Sequence, residues 1–215
     1  MKTYTELLAG TENTWDLSDN ENSYIDTQYV DGEKIEYEVI FGNEKMVFIK
    51  AGAGGSARGY ENKYLRMARR IHERIGATVI CASNPDAPHQ ELDEAKIREI
   101  AAEKGFSDFS VSFIGTSDGA YQNLSLAQSF SEAVKIIGIN TSYIDISDLK
   151  EKLMALPDIF KVMIYGAEDE DAEEVVPTLC EMECNKLEVK LVEGADHSFT
   201  GMVEEFIALA DYLFN

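Results

Sequence analysis

The sequence predicts an α/β fold: a mostly parallel, doubly wound central sheet that begins with antiparallel strands. Three observations predict it. Residues 23–30 and 34–41 alternate apolar and polar positions around Asp31-Gly32, the pattern of a hairpin. Beyond residue 45 the rhythm changes, and short apolar runs take turns with helical patterns to the end of the chain. Repeated β-α units of this kind build a parallel sheet with helices on both faces. Finally, Gly115-Thr-Ser117-Asp-Gly119 stands between an apolar run and a helical pattern, which makes it a sharp strand-to-helix turn.

Residues 1–22 are polar and acidic and read as a lead-in or strap, with one turn of helix around Tyr4 to Leu8; residues 23–215 read as one domain. After the hairpin, Gly42-Asn43 turns the chain into residues 45–50, whose unbroken apolar centre suits a strand buried on both faces. A helix over residues 61–75 places Leu65, Ala68, Ile71 and Ile75 on one side and stops at Gly76. Residues 77–82 form a strand. Residues 91–104 form a helix with Ile97, Ile100 and Ala101 inward, ended by Gly105. Residues 109–114 are the strand before the serine, and residues 120–134 the helix after it, with Leu124, Ala127 and Phe130 inward. Further strands fall at 135–140, 161–165 and 187–192, and helices at 147–156, 175–182 and 202–214.

Forty Asp and Glu face nineteen Lys and Arg among 215 residues, a formal net charge of −21. Such a surface repels phosphate backbones and anionic lipid, which argues against nucleic-acid and membrane-surface roles. No apolar run approaches the ~20 residues of a membrane span, and the opening residues carry no signal-peptide pattern. The three cysteines are an odd number, which argues against a disulfide framework. Cys81 falls in a strand, and Cys180 and Cys184 are spaced for one reduced helix face. As metal ligands those two would be two short of a tetrahedral site. Together these features place the protein in the cytoplasm, with no metal and no organic cofactor. Its oligomeric state is not encoded in any pattern visible here.

A hydroxyl at neutral pH needs a base to become a nucleophile, and the chain holds three histidines. His197 sits in Val192-Glu-Gly-Ala-Asp-His197, a loop leaving the carboxyl end of the last strand, where a base facing Ser117 must come from. His72 lies mid-helix and reads as a flank residue; His89 reads as a loop or helix-start residue. An acid that orients the imidazole is sought in Tyr165-Gly166-Ala-Glu168-Asp169-Glu170-Asp171, after the preceding strand. Most of that acidic run reads as a solvated helix start. Asp169 is the first choice for the acid, followed by Asp171 and Glu168.

The chain at this point resembles the α/β-hydrolase superfamily over about residues 23–215. The order Ser117, Asp169, His197 is that superfamily's order. Gly166-Ala-Glu-Asp169 and Gly194-Ala-Asp-His197 match its Gly-x-x-Asp and Gly-x-x-His endings. The resemblance implies an oxyanion hole built from the backbone N–H of Asp118 and a second N–H in Ala51-Gly-Ala53-Gly-Gly-Ser56, where Ala53 would donate. Family members often place a histidine where this chain has Ala51, so the support behind that loop must differ. No Lys follows these glycines in the spacing of a phosphate-binding loop. Serine at 117 separates the chain from branches that attack through a carboxylate. Residues 140–161 leave no room for a helical lid, which implies no cap domain and an open pocket.

The expected activity is that of a serine hydrolase acting on a carboxylic ester, or related acyl bond, of a small substrate through an acyl-enzyme on Ser117. A thioesterase or amidase with the same residues is the nearest alternative. A non-catalytic, hydrolase-like binding protein is the alternative from another class.

Overall fold

Parallel strands with apolar side chains on both faces must be covered on both sides, and that requirement organises the molecule. The computed structural model describes residues 14–17, 23–30, 32–85, 89–143, 145–156 and 158–214. Among them the strands are β1 (Thr14–Leu17), β2 (Ser23–Val30), β3 (Glu33–Ile40), β4 (Asn43–Lys50), β5 (Ala77–Ala82), β6 (Ser110–Thr116), β7 (Ala133–Ile139), β8 (Phe160–Gly166) and β9 (Leu187–Val192). The α-helices are α1 (Lys63–Ile75), α2 (Gln90–Glu103), α3 (Asp118–Leu126), α4 (Ile146–Ala155), α5 (Ala172–Cys180) and α6 (Val203–Ala208).

The described strands form one sheet in the order β1-β2-β3-β5-β4-β6-β7-β8-β9. β1, β2, β3 and β5 pair antiparallel; from β5 through β9 every pairing is parallel. Register rows explain the two-sided burial. Ile49, Ile114, Ile137 and Val162 are cross-strand neighbours on one face, and Phe48, Phe113 and Ile136 on the other. The first row packs under α1 and α6 through Leu65, Met67, Ala68, Ile71 and Phe206. The second packs under α2, α3, α4 and α5 through Ile97, Leu124, Leu149, Leu153 and Val175. Winding reverses between β4 and β6. The chain leaves β4 toward β5, but leaves β6 toward β7, and the carboxyl ends of strands at such a reversal are where open α/β sheets place their ligands.

The structure departs from the sequence reading at several places. Part of the expected lead-in, Thr14–Leu17, is a strand paired with β2; the turn expected around Tyr4 to Leu8 lies outside the described residues. α1 starts two residues later than expected, because Glu61 (φ 50°) and Asn62 (φ 56°) are left-handed. The helix expected over 120–134 stops at Leu126. After a 3-10 turn at Ala127–Ser129 the chain extends at Phe130, whose ring packs 5.7 Å from that of Phe113. α5 begins at Ala172, three residues early, with Glu173 and Glu174 favourably placed in its first turn. The last helix tightens to 3-10 over Leu209–Phe214. Cys184 lies past the end of α5, so Cys180 and Cys184 share no helix face.

Candidate active site

Ser117 is held where few residues can be. It joins β6 to α3 at φ 54° and ψ −125°, a left-handed backbone costing about 1–3 kcal/mol for a residue with a β-carbon. Its N–H donates to the carbonyl of Ile139 at 2.8 Å, and its carbonyl accepts from Ala120 at 3.0 Å, tying the turn to β7 and to the helix. The flanking glycines are required by contact. A β-carbon at Gly115 would lie 2.4 Å from the Ala120 Cα, and one at Gly119 2.0 Å from the Ala51 carbonyl oxygen.

Three loops converge on this serine. His197, on the turn after β9, sets Nε2 3.0 Å from Ser117 Oγ, and its Nδ1 stands 2.7 Å from Asp169 Oδ2. The Asp169 side chain is 3% exposed and that of His197 45%, so a sheltered acid backs a base open to solvent. Of the three acids weighed from sequence, Asp169 faces the imidazole. Its other oxygen accepts the N–H of Asp171 at 3.0 Å. The Asp171 carboxylate meets the Tyr143 hydroxyl instead, at 3.5 Å, and Glu168 is exposed. Asp196 shapes the histidine turn by accepting from the N–H groups of Ser198 and Thr200 at 3.0 and 2.8 Å. The Thr200 N–H leads in holding its carboxyl below the usual range. Lys63 Nζ reaches the Ser198 carbonyl at 3.2 Å, and burial lowers its pKa.

The glycine loop after β4 closes the other side. Gly55 N–H bonds to the Gly52 carbonyl at 2.9 Å with Gly54 at φ 67°, a turn that leaves the N–H of Ala53 outside its own hydrogen bond. A β-carbon at Gly52 would lie 3.3 Å from the Ser117 Cβ, so the loop lies against the serine. Asp118 opens α3, and first-turn N–H groups of a helix have no partner within it.

Residues that the sequence reading passed over support this loop in place of a side chain at Ala51. Asn84, fully buried, donates its N–H to the Gly55 carbonyl at 2.9 Å and its Nδ2 to Asp118 Oδ2, also at 2.9 Å. Gln122 Nε2 donates to the same carboxylate oxygen at 2.6 Å and to Asn84 Oδ1 at 3.0 Å. A buried amide therefore links the glycine loop to the start of α3.

The other candidates stand elsewhere. His72 contacts the Ala77 carbonyl at 2.9 Å, and His89, just before α2, meets Glu33 at 3.1 Å. Cys81 is buried in β5, where desolvation pushes its thiol pKa up; the three cysteines are free. Among the described residues, no group of three or more His, Cys, Asp and Glu side chains is placed to share a metal ion. None of the described helices is long and apolar enough to cross a membrane.

Strand order, helix placement and the turn at Ser117 together define the class: this is the α/β-hydrolase fold, with no lid among the described residues. Solved structures similar to the chain are α/β hydrolases. A protein of unknown function from Agrobacterium tumefaciens, described as a candidate α/β hydrolase, is 17% identical with a TM-score of 0.68, over 88% of this chain and 94% of that one. Est1E from Butyrivibrio proteoclasticus is 11% identical with a TM-score of 0.65, over 94% and 97%. An α/β serine hydrolase without a lid from Xanthomonas campestris is 19% identical with a TM-score of 0.61, over 92% and 95%. No protein-family model matches the chain, and no curated protein matches it in sequence.

Proposed function

We propose that this protein is a serine hydrolase that cleaves a carboxylic ester of a small substrate through an acyl-enzyme on Ser117. The observation that carries the reading is the line Ser117 Oγ–His197–Asp169, with spacings of 3.0 and 2.7 Å at the two imidazole nitrogens. His197 takes the hydroxyl proton as Oγ attacks the acyl carbon. The N–H groups of Asp118 and Ala53 receive the negative charge on the carbonyl oxygen, each good donor contributing about 3–4 kcal/mol. His197 then gives the proton to the leaving alcohol, water repeats the sequence to release the acid, and Asp169 keeps the imidazole in the tautomer that presents Nε2 as acceptor.

The exposure of the His197 side chain, 45%, supports a small or extended substrate rather than a long buried acyl chain. Est1E, one structure of which holds ferulic acid, and a dienelactone hydrolase from Anabaena variabilis share the fold, which supports acyl chemistry. Exposed Glu168, Glu170, Glu173 and Glu174 stand beside the site and focus negative potential there, so neutral and cationic esters are favoured over anionic ones. The acidic surface and free cysteines support a cytoplasmic setting and a small-molecule partner.

A panel of short-chain nitrophenyl esters, thioesters and anilides, run on wild type and Ser117→Ala, tests the assignment. Ester turnover that Ser117→Ala abolishes is expected, faster for neutral than anionic esters at low salt. A folded wild type inert to all three classes would return the chain to the hydrolase-like binding reading, and preference for thioesters or anilides would move the bond.

A further inference from the structure

We propose that Asn140 is a positioning residue, one buried amide that holds the histidine loop and the acid-bearing turn at a fixed separation. The inference rests on the Ser117–His197–Asp169 reading above and names a group that this reading does not include. Asn140 follows β7 directly, next to the strand that leads into Ser117, and is 1% exposed. Its φ of 43° is left-handed, a conformation asparagine adopts more readily than most residues with a side chain.

Its contacts go to both loops that carry the partners of the serine. Asn140 Nδ2 donates to the His197 carbonyl at 2.8 Å and to the Asp196 carbonyl at 3.2 Å. Its Oδ1 accepts the N–H of Gly166 at 2.8 Å, and its own N–H donates to Ile164 in β8 at 2.8 Å. Gly166 begins the turn that carries Asp169 three residues on. The two loops also touch each other: Glu168 N–H donates to the Ala195 carbonyl at 2.9 Å, and a β-carbon at Gly166 would lie 2.2 Å from that same oxygen.

A primary amide suits this position for a chemical reason. The site asks for two N–H donors toward one loop and one acceptor toward the other, within reach of one Cβ. A carboxylate of the same shape has no donor and would face two carbonyl oxygens with negative charge, and an apolar side chain would leave the buried Gly166 N–H without its acceptor and two part-buried carbonyls without their donor. Since the His197 backbone is fixed through its own carbonyl, the root of the imidazole is set relative to Asp169 before any substrate arrives.

Two substitutions separate this role from simple space filling. Asn140→Gly accepts the positive φ without strain and deletes the amide; Asn140→Asp keeps the shape and the acceptor and removes both donors. The readouts are kcat and KM for the best ester of the panel, far-UV circular dichroism, and the far-downfield proton resonance of the His197 Nδ1–H, assigned by its absence from Asp169→Ala. Both variants are expected to keep the wild-type dichroism, to lose about 100-fold in kcat with little change in KM, and to lose that resonance. A folded variant that keeps either wild-type kcat or the resonance overturns the inference. If Asn140→Gly does not fold, Asn140→Asp decides alone. Should wild type hydrolyse nothing, the enzymatic reading fails by itself, and the resonance in Asn140→Gly still decides whether Asn140 sets the His197–Asp169 pair.

Discussion

A β-carbon on Gly119 would stand 2.0 Å from the carbonyl oxygen of Ala51, so the turn after Ser117 and the end of β4 meet backbone to backbone. This contact joins the two segments that carry the N–H groups proposed to receive the oxyanion's charge. Gly119→Ala is expected to destabilise the fold by about 1–3 kcal/mol through overpacking against main chain that cannot yield. It should also depress ester turnover in the fraction that remains folded. Urea unfolding with parallel kinetics checks both; a variant with wild-type stability and turnover would contradict the contact.

Ala53 occupies the second position of a turn whose third residue, Gly54, has φ 67°. Proline is favoured at that second position, so Ala53→Pro keeps the turn while removing one N–H. A fall in kcat of about 10²–10³-fold with little change in KM is expected if Ala53 donates to the oxyanion. Wild-type kcat in this variant would assign the donor elsewhere.

Lys50 and Asp93 form an ion pair at 2.8 Å with side chains 1% and 2% exposed, and the Tyr37 hydroxyl donates to the same aspartate at 2.9 Å. Asp93→Ala strands a buried ammonium and should cost about 3–5 kcal/mol. Removing the pair of exposed Lys34 and half-buried Glu36, spaced 2.7 Å at the surface, should cost under about 1 kcal/mol. Denaturant midpoints for the two variants give the comparison.

Asp196 carries a pH dependence. Hydrogen bonds from the Thr200 N–H and hydroxyl and from the Ser198 N–H hold its carboxyl below the ordinary aspartate value. Because the folded value lies under the unfolded one, the stabilisation is complete at neutral pH and vanishes as pH falls through the folded value. Asp196→Ala should lower Tm at pH 7 and show a smaller loss of Tm than wild type on acidification. Equal acid sensitivity in the two proteins would remove Asp196 from the account.

Much of this was legible in the sequence because burial on two faces leaves few ways to arrange a strand. The runs at 45–50, 77–82 and 187–192 lie within β4, β5 and β9. Ser117, His197 and Asp169 were legible because each follows a strand at the sheet's carboxyl edge. Helix ends were harder to read: the left-handed pair Glu61 and Asn62 and the extended Phe130 depend on tertiary packing, not on local propensity. α2 turns Asp93 and Lys96 inward toward Lys50 and Asp26, charged partners that hydropathy would put in water. Asn84 and Asn140 had no local signal. Their partners include backbone groups of distant loops, 56 and 57 residues away for the Asn140 contacts to the histidine loop, and a loop asparagine shows nothing in sequence of what it will meet.

The most direct test of the central claim is reaction with a fluorophosphonate probe followed by mapping of the adduct by mass spectrometry. The account requires one adduct, on Ser117, absent from Ser117→Ala and formed far more slowly in His197→Ala. A correctly folded wild type that takes no label, or takes it on another residue, would contradict it.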